Sequence, residues 1–322
     1  MRVLLFCEIL LLVFAVITGA ITTGPDSSIG ELKPIARCGT EAIDSNFKQS
    51  LKTVKAYENT IKLKARDSTH TSKRGSLPGL DVAVHFHTVS SAEKADAITD
   101  DALKAQFAVL KETYTKYDIN LHWNGTVASR TVDDWLSQFS WPLTRNQVVQ
   151  KKEFLTSTRL GGYNALNFYF YTGMADEFWG SCNLPKVNVT VDFEDSVFRE
   201  DGCNINHLAM PGGPSPAVNL GYTAIHETGH WFGLQHVFLT YMCDETGDTI
   251  DDTPAASEFT VGCPIGKDSC PDMPGLDPIH NFMDYSDDYC MTEFTPDQKI
   301  RMHATYATLR SNLTALPSKR RR

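Results

Sequence analysis

HETGHWFGLQH, residues 226–236, carries three of the chain's ten histidines and one glutamate. His226 and His230 are four residues apart, so on an α-helix turning about 100° per residue their imidazoles project from one face, one turn apart. His236 follows six residues later, which on an unbroken helix would carry it roughly 9 Å farther along the axis, out of reach of anything the first two share. Gly233 stands between them, and glycine readily takes the left-handed conformation that ends a helix and turns the chain back. The stretch therefore predicts a helix, a glycine bend and a third imidazole returned toward the first two.

Three neutral imidazoles around one divalent ion leave a coordination position open for water, as in catalytic rather than structural zinc sites. Glu227, in the same turn as His226, can take a proton from that water and pass it to a leaving amine. A structural zinc site has no use for this carboxylate. Two histidines four apart with a glutamate between them recur by chance, but also requiring Gly233 and His236 thins accidental matches by a factor of roughly several hundred.

Upstream, DVAVHFHTV (81–89) alternates Val82, Val84 and Phe86 against Ala83, His85 and His87, the pattern of a half-buried strand. His85 and His87 read as sheet residues rather than ligands. A helix is signalled from Thr99 by Asp100 and Asp101 and by Leu103, Phe107, Leu110 and Tyr114 on one face. INLHW (119–123) and LNFYFYTG (166–173) read as further strands. Strand, helix, strand, strand and the histidine-bearing helix describe an α/β fold, a sheet with helices behind it. Past His236 the regular patterning fades. Residues 240–295, rich in Asp, Gly, Pro and Cys, suggest a loop-built region held by disulfides. Thr295-Pro-Asp-Gln298 is a capping box that opens a closing helix running toward Leu313.

The chain has 322 residues, 42% of them hydrophobic, and a net charge of −9, enough for a sizeable core and without a basic patch for nucleic acid. Residues 1–20 combine Arg2, an apolar run and the small pair Gly19-Ala20, and read as a secretory signal peptide, with no membrane attachment once it is removed. Export favours cysteine pairing, yet once Cys7 has left with the signal seven cysteines remain, an odd number. Asn124, Asn188 and Asn312 each lie two residues before a threonine and are candidate glycosylation sites. Residues 21–74 are net +4 against −13 for residues 75–322, with an amphipathic helix signalled between Asp44 and Arg66 and the dibasic pair Lys73-Arg74 at the end. We read them as a pro-segment, which either docks on the acidic body or stays a solvated linker. Lys73-Arg74 marks the expected point of processing, and residues 317–322 read as a basic tail.

With its extended histidine motif and the downstream stretch HNFMDYSDD (280–288), the chain resembles the metzincin zinc endopeptidases. Within that clan it resembles the pappalysins, above all the secreted fungal and prokaryotic type, through GDTIDDTP (247–254) and MDYSDDYCMTEFTPDQKIRM (283–302). The resemblance covers residues 75–311 in layout and is specific from about Leu220 to Met302. It implies a metzincin-like fold: a twisted mixed sheet with backing helices and an active-site helix, then a loop-rich, disulfide-bonded C-terminal subdomain ending in a helix. The catalytic domain would span 75–316, its upper subdomain reaching to about residue 236 and its lower subdomain covering 237–316.

The resemblance also implies one catalytic Zn2+ on His226, His230 and His236, Glu227 as general base, Met283 as an apolar floor and Tyr285 as metal ligand or oxyanion stabiliser. Protein or peptide substrates would lie as an added strand along a sheet edge near residues 175–187. By sequence alone Cys243, Cys263, Cys270 and Cys290 allow three pairings. The family implies Cys243 with Cys270 and Cys263 with Cys290, which leaves Cys182 for Cys203. Cys38, followed by glycine, is then the candidate latency switch of a zymogen, or else an unpaired or intermolecular cysteine. The family binds calcium near the acidic run Asp244, Asp248, Asp251 and Asp252, so Ca2+ is a second candidate ion, with a solvated acidic loop as the other reading. Asp287 and Asp288 would favour a basic residue beyond the scissile bond. Together these give a secreted, latent zinc endopeptidase. A catalytically silent metal-binding protein is the rival reading from another class, and a peptidase trimming chain ends the rival among enzymes.

Overall fold

Val82, Val84 and Phe86 are buried on one face of β1 (Leu80–Ser90), while His87 and Val89 are buried on the other, so this strand lies inside the protein with both faces covered. The computed structural model describes residues 38–40, 44–67, 77–139, 144–175, 178–243 and 247–313, all within one compact unit, Ile35–Arg322. Residues 1–20, read above as a signal peptide, the Lys73-Arg74 pair, Asp244 and the basic stretch 317–322 lie outside the described residues.

The sheet runs β2 (Ile119–His122), β1, β4 (Leu166–Tyr171), β6 (Cys203–Asn206) and β5 (Gly180–Cys182), with β3 (Ser129–Val132) also pairing β1. Every pairing is parallel except that of β5 with β6, so β5 closes one edge in the opposite sense. The disulfide Cys182–Cys203 joins these two strands directly across their register.

Helices cover both faces. On one, Phe86, Phe168, Phe170 and Ile205 pack with Leu103, Leu110 and Tyr114 of α2 (Asp100–Thr115) and with Ala224 and Ile225 of α5 (Tyr222–Trp231). On the other, Tyr169 and Tyr171 pack against Phe154 and Leu155 of α3 (Arg145–Thr158). A one-and-a-half-turn helix, α4 (Ser196–Glu200), precedes β6. Between α5 and α6 (Pro296–Thr305) the described chain holds only a 3-10 turn at Asp288–Cys290 and an isolated bridge between Asn281 and Glu293. Disulfides Cys243–Cys270 and Cys263–Cys290 tie that stretch. Closing two loops of 27 residues' separation stabilises it by about 3 to 4 kcal/mol each on the chain-entropy argument.

α1 (Ser45–Asp67) does not behave as a solvated linker: Phe47 and Val54 are buried, and Val54 packs with Ala304 and Leu309 at the C-terminal helix. Charge guides this docking in both directions. Lys62 reaches Asp251 and Asp297 at 2.9 and 2.7 Å, as a basic segment on an acidic body should. Glu58 pairs with the buried Arg301, and Asp44 with Lys186 at 2.8 Å, with the signs reversed.

Behind α5 a buried polar hub fixes the scaffold. Asp201 accepts hydrogen bonds from Arg310 at 2.9 and 3.1 Å, from Arg159 at 3.3 Å and from the Trp231 indole N–H at 3.1 Å. The Arg310 guanidinium lies 3.8 Å from the Trp231 ring centroid. The two guanidiniums share this one carboxylate and are hydrogen-bonded to it, the condition under which buried ions are tolerated.

Candidate active site

α5 is almost wholly buried and braced at both ends. At its start no side chain of the cap residue itself caps it. The Asp288 carboxylate accepts from the Leu220 and Tyr222 amides at 2.9 and 3.3 Å instead, complementing the helix N-terminus. Tyr114 of α2 donates to Ile225 O at 2.9 Å. At its end Gly233, with φ +87°, closes a Schellman motif: its amide donates to His230 O at 2.8 Å and the Leu234 amide to Gly229 O at 2.9 Å. A Cβ at Gly233 would fall 2.6 Å from Thr305 Oγ1. The chain thus turns at Gly233 and brings His236 back.

The Nε2 atoms of His226, His230 and His236 form a triangle with sides of 3.2, 3.1 and 3.2 Å. His226 Nδ1 faces Phe282 O at 2.7 Å and His230 Nδ1 faces Leu234 O at 2.8 Å. A ring nitrogen facing a carbonyl carries the proton, so these two Nε2 atoms present lone pairs to a shared point. Burial pushes His230 down to about 4 and His236 well below its usual value, which keeps both in the neutral, metal-binding form. Lone pairs that converge so closely need a cation between them, and tetrahedral zinc with Zn–N near 2.0–2.1 Å would hold its nitrogens roughly 3.3 Å apart. The donor set and its spacing fit zinc.

Other side chains close around this point. Glu227 is fully buried, its Oε2 3.3 Å from Thr40 Oγ1 and 3.5 Å from Cys38 Sγ. Cys38 Sγ joins the three imidazoles in a group whose ligand atoms lie within 4.8 Å of one another. Burial and then the neighbouring Glu227 raise the Cys38 thiol well above its usual range. The Tyr285 hydroxyl donates to Cys38 O at 3.2 Å, and its ring packs 5.0 Å from His236; burial raises this hydroxyl too and keeps it protonated. Met283 is fully buried and its Sδ comes so close to Gly229 that a Cβ there would sit 2.5 Å away. Asp284 shapes the Met283 turn, accepting from the Thr260 and Tyr285 amides at 3.1 and 2.8 Å.

The sheet edge meets the site at β5. Cys38 bridges Gly180 in parallel and the Gly39 amide donates to Gly180 O at 2.9 Å, so this short stretch of residues 21–74 lies along the edge as an added strand. A Cβ on Gly180 would fall 2.8 Å from Glu227 Cγ and 2.9 Å from its Oε1. Gly180 and Thr40 were not legible from spacing, because their roles depend on strand pairing between distant segments.

Comparison with known proteins gives the family and the fold. The family described as pregnancy-associated plasma protein-A, peptidase M43, matches residues 208–307. An extracellular metalloprotease of Pyricularia oryzae is 40% identical over 247 residues, covering 77% of this chain and 81% of its own. The chain is a pappalysin, a member of peptidase family M43. A second relative, an extracellular metalloprotease of Colletotrichum graminicola, is 38% identical over 263 residues, 80% of this chain and 88% of its own. In fold the pappalysin is similar to a promirolysin mutant of Tannerella forsythia, with TM-score 0.59 and 21% identity over 86% of this chain and 96% of that one. It is also similar to mature mirolysin in complex with a cleaved peptide, with TM-score 0.55 and 21% identity over 75% and 100%. The protein is therefore an enzyme of the metalloprotease class with a mixed α/β sheet, and it acts on peptide bonds. Among the described residues no helix is long and apolar enough to cross a membrane.

The pappalysin's remaining candidates distribute unevenly. His85 and His87 belong to β1, and His87 bonds Ser129 and Asn167 at 2.9 and 3.0 Å. Asn124, Asn188 and Asn312 are all exposed. Asp251 and Asp252 are exposed, but Asp248 is buried and accepts from Ile250 N and Thr253 Oγ1 at 3.0 and 2.7 Å; burial raises its carboxyl to about 7. The expectation that Asp287 and Asp288 select a basic substrate residue fails for Asp288, which is buried and bound to the start of α5. Asp287 accepts from Gly262 N at 3.2 Å.

Proposed function

We propose that this pappalysin is a secreted, zinc-dependent endopeptidase made as a latent precursor, with residues 1–20 as signal, 21–74 as pro-segment and 75–316 as catalytic domain. The reading rests on one observation above all, the triangle of three Nε2 atoms at 3.1–3.2 Å with the buried Glu227 beside it. His226, His230 and His236 hold the ion. Zinc, when bound, supplies a Lewis acid and makes water a nucleophile near neutral pH.

The chain's own residues do the rest. An extended substrate pairs with β5 along the edge that Cys38 and Gly39 line, which fixes the scissile carbonyl by main-chain hydrogen bonds. Glu227 takes the proton from the attacking water and returns it to the leaving nitrogen. Tyr285, protonated and next to His236, donates to the oxygen that becomes negative as the carbonyl is attacked. Met283 packs as a floor under the helix.

In the precursor Cys38 fills the position where substrate and water would meet, and Tyr285 is engaged with its carbonyl. Calcium at the loop of Asp248 and glycans at the three exposed asparagines complete the proposal. Glu227→Gln should lower casein or peptide hydrolysis by about 10² to 10⁴-fold while zinc content stays at the wild-type value. A variant that digests casein as wild type does, with a chelator abolishing neither activity, would refute the reading.

A further inference from the structure

Gly180 of β5 turns toward Glu227, whereas Ser181, the next residue, borders a cavity of about 260 Å³ on the opposite side of the strand, between the sheet and α3. Trp135, Leu136, Phe139, Phe154, Tyr171 and Phe178 form its aromatic and aliphatic walls, with Ser181, Asn183 and Asn204 as polar lining. Charges at its border are paired in the precursor, Lys186 with Asp44 at 2.8 Å and Lys151 with Glu200 at 3.5 Å; only the second pair lies wholly outside the segment proposed to be removed, whose loss leaves Lys186 at the mouth without Asp44.

The strand paired to β5 already touches this wall. Side chains alternate along a strand, so when Cys38 faces the histidines its successor faces the other way. That successor is Gly39, and a Cβ built on it would meet the Phe178 ring at 2.0 and 2.2 Å. The atoms met are the far end of the ring, which is half-buried and stacked on Phe139 at 5.9 Å. Any residue larger than glycine at this place must therefore turn the ring aside. Asp44 and Phe47, which also border the cavity, belong to the segment proposed to be removed, so its mouth widens when they leave.

We propose that this cavity is a substrate subsite for one large apolar side chain, adjacent in sequence to the residue held over the histidines. Phe178 is its movable wall, and the glycine after Cys38 leaves it unfilled in the precursor. The inference rests on the endopeptidase reading. Its aromatic walls, and a volume of about 260 Å³ even before Asp44 and Phe47 leave, suit Phe, Leu or Met, and an apolar side chain moved from water into such a pocket favours cleavage by at least about tenfold over glycine.

The test is the cleavage profile of the processed enzyme on a degenerate peptide library, followed by kcat/KM on a peptide pair that differs only as Phe or Gly at the enriched position. Wild type should enrich large apolar residues at one position within three residues of the cut. In Leu136→Trp, which fills the cavity, the Phe-to-Gly ratio should fall about tenfold or more; a ratio within one variant cancels any loss common to both peptides. If that variant does not fold, Phe139→Ala, which enlarges the cavity, should move the optimum toward Trp. Cleavage without apolar preference, or a preference that the cavity variant leaves unchanged, overturns the subsite but not the endopeptidase. No cleavage of any peptide overturns both.

Discussion

Gly180 shows how much the site depends on an atom that is missing. The Glu227 carboxylate lies against the edge strand because nothing projects from Gly180: a methyl there would sit 2.8 Å from Cγ. Gly180→Ala should therefore push Glu227 off its position and lower kcat by about tenfold to a hundredfold, since small misplacements of a reacting group cost that much. Zinc content and the thermal unfolding midpoint should change little, and kinetics beside a melting curve would check it. A fully active Gly180→Ala enzyme would show that Glu227 needs no such close approach. The three imidazoles and the glutamate were legible in the sequence, since spacing on a helix fixes direction. Gly180 and Thr40 were not, because only pairing between segments more than a hundred residues apart brings them to the site.

At the scale of elements, long and strongly patterned segments were readable and short or polar ones were not. α1, α2, β1 and the turn at Gly233 follow from periodicity and capping. β3 alternates between half-buried and exposed residues only, β5 has three residues, and α3 buries just Phe154 and Leu155, so none offered a clear apolar pattern. β1 also carries a titration that the fold must bear. Burial holds His87 down from 6.5 to about 4 between Ser129 and Asn167. Between these two values the unfolded chain binds a proton that the folded one does not, so stability falls as pH drops through that window and is fully present above it. Urea unfolding at pH 6.5 and pH 4 should find that wild type loses about 3 kcal/mol more than His87→Gln; equal losses would mean that His87 protonates within the fold.

Across the whole molecule, two parts distant in sequence meet at one point. α1 is anchored by Val54 on the C-terminal helix and by Glu58 on Arg301, and the same segment delivers Cys38 to the histidines. If the chain is made latent, as proposed above, latency is a matter of competition for one position rather than of a distorted site. Cys38→Ala should yield a precursor that hydrolyses peptides before any cleavage at Arg74, detectable in a continuous fluorogenic assay alongside a gel of the intact chain. Continued silence of that intact precursor would assign latency to the docked helix alone.

Whether three imidazoles hold one catalytic zinc is decided by elemental analysis of the purified, active enzyme and of its His236→Ala variant. One zinc per chain is expected in the first, and loss of both zinc and proteolysis in the second. Active enzyme without stoichiometric zinc, or full proteolysis after His236 is replaced, would contradict the three-imidazole zinc site.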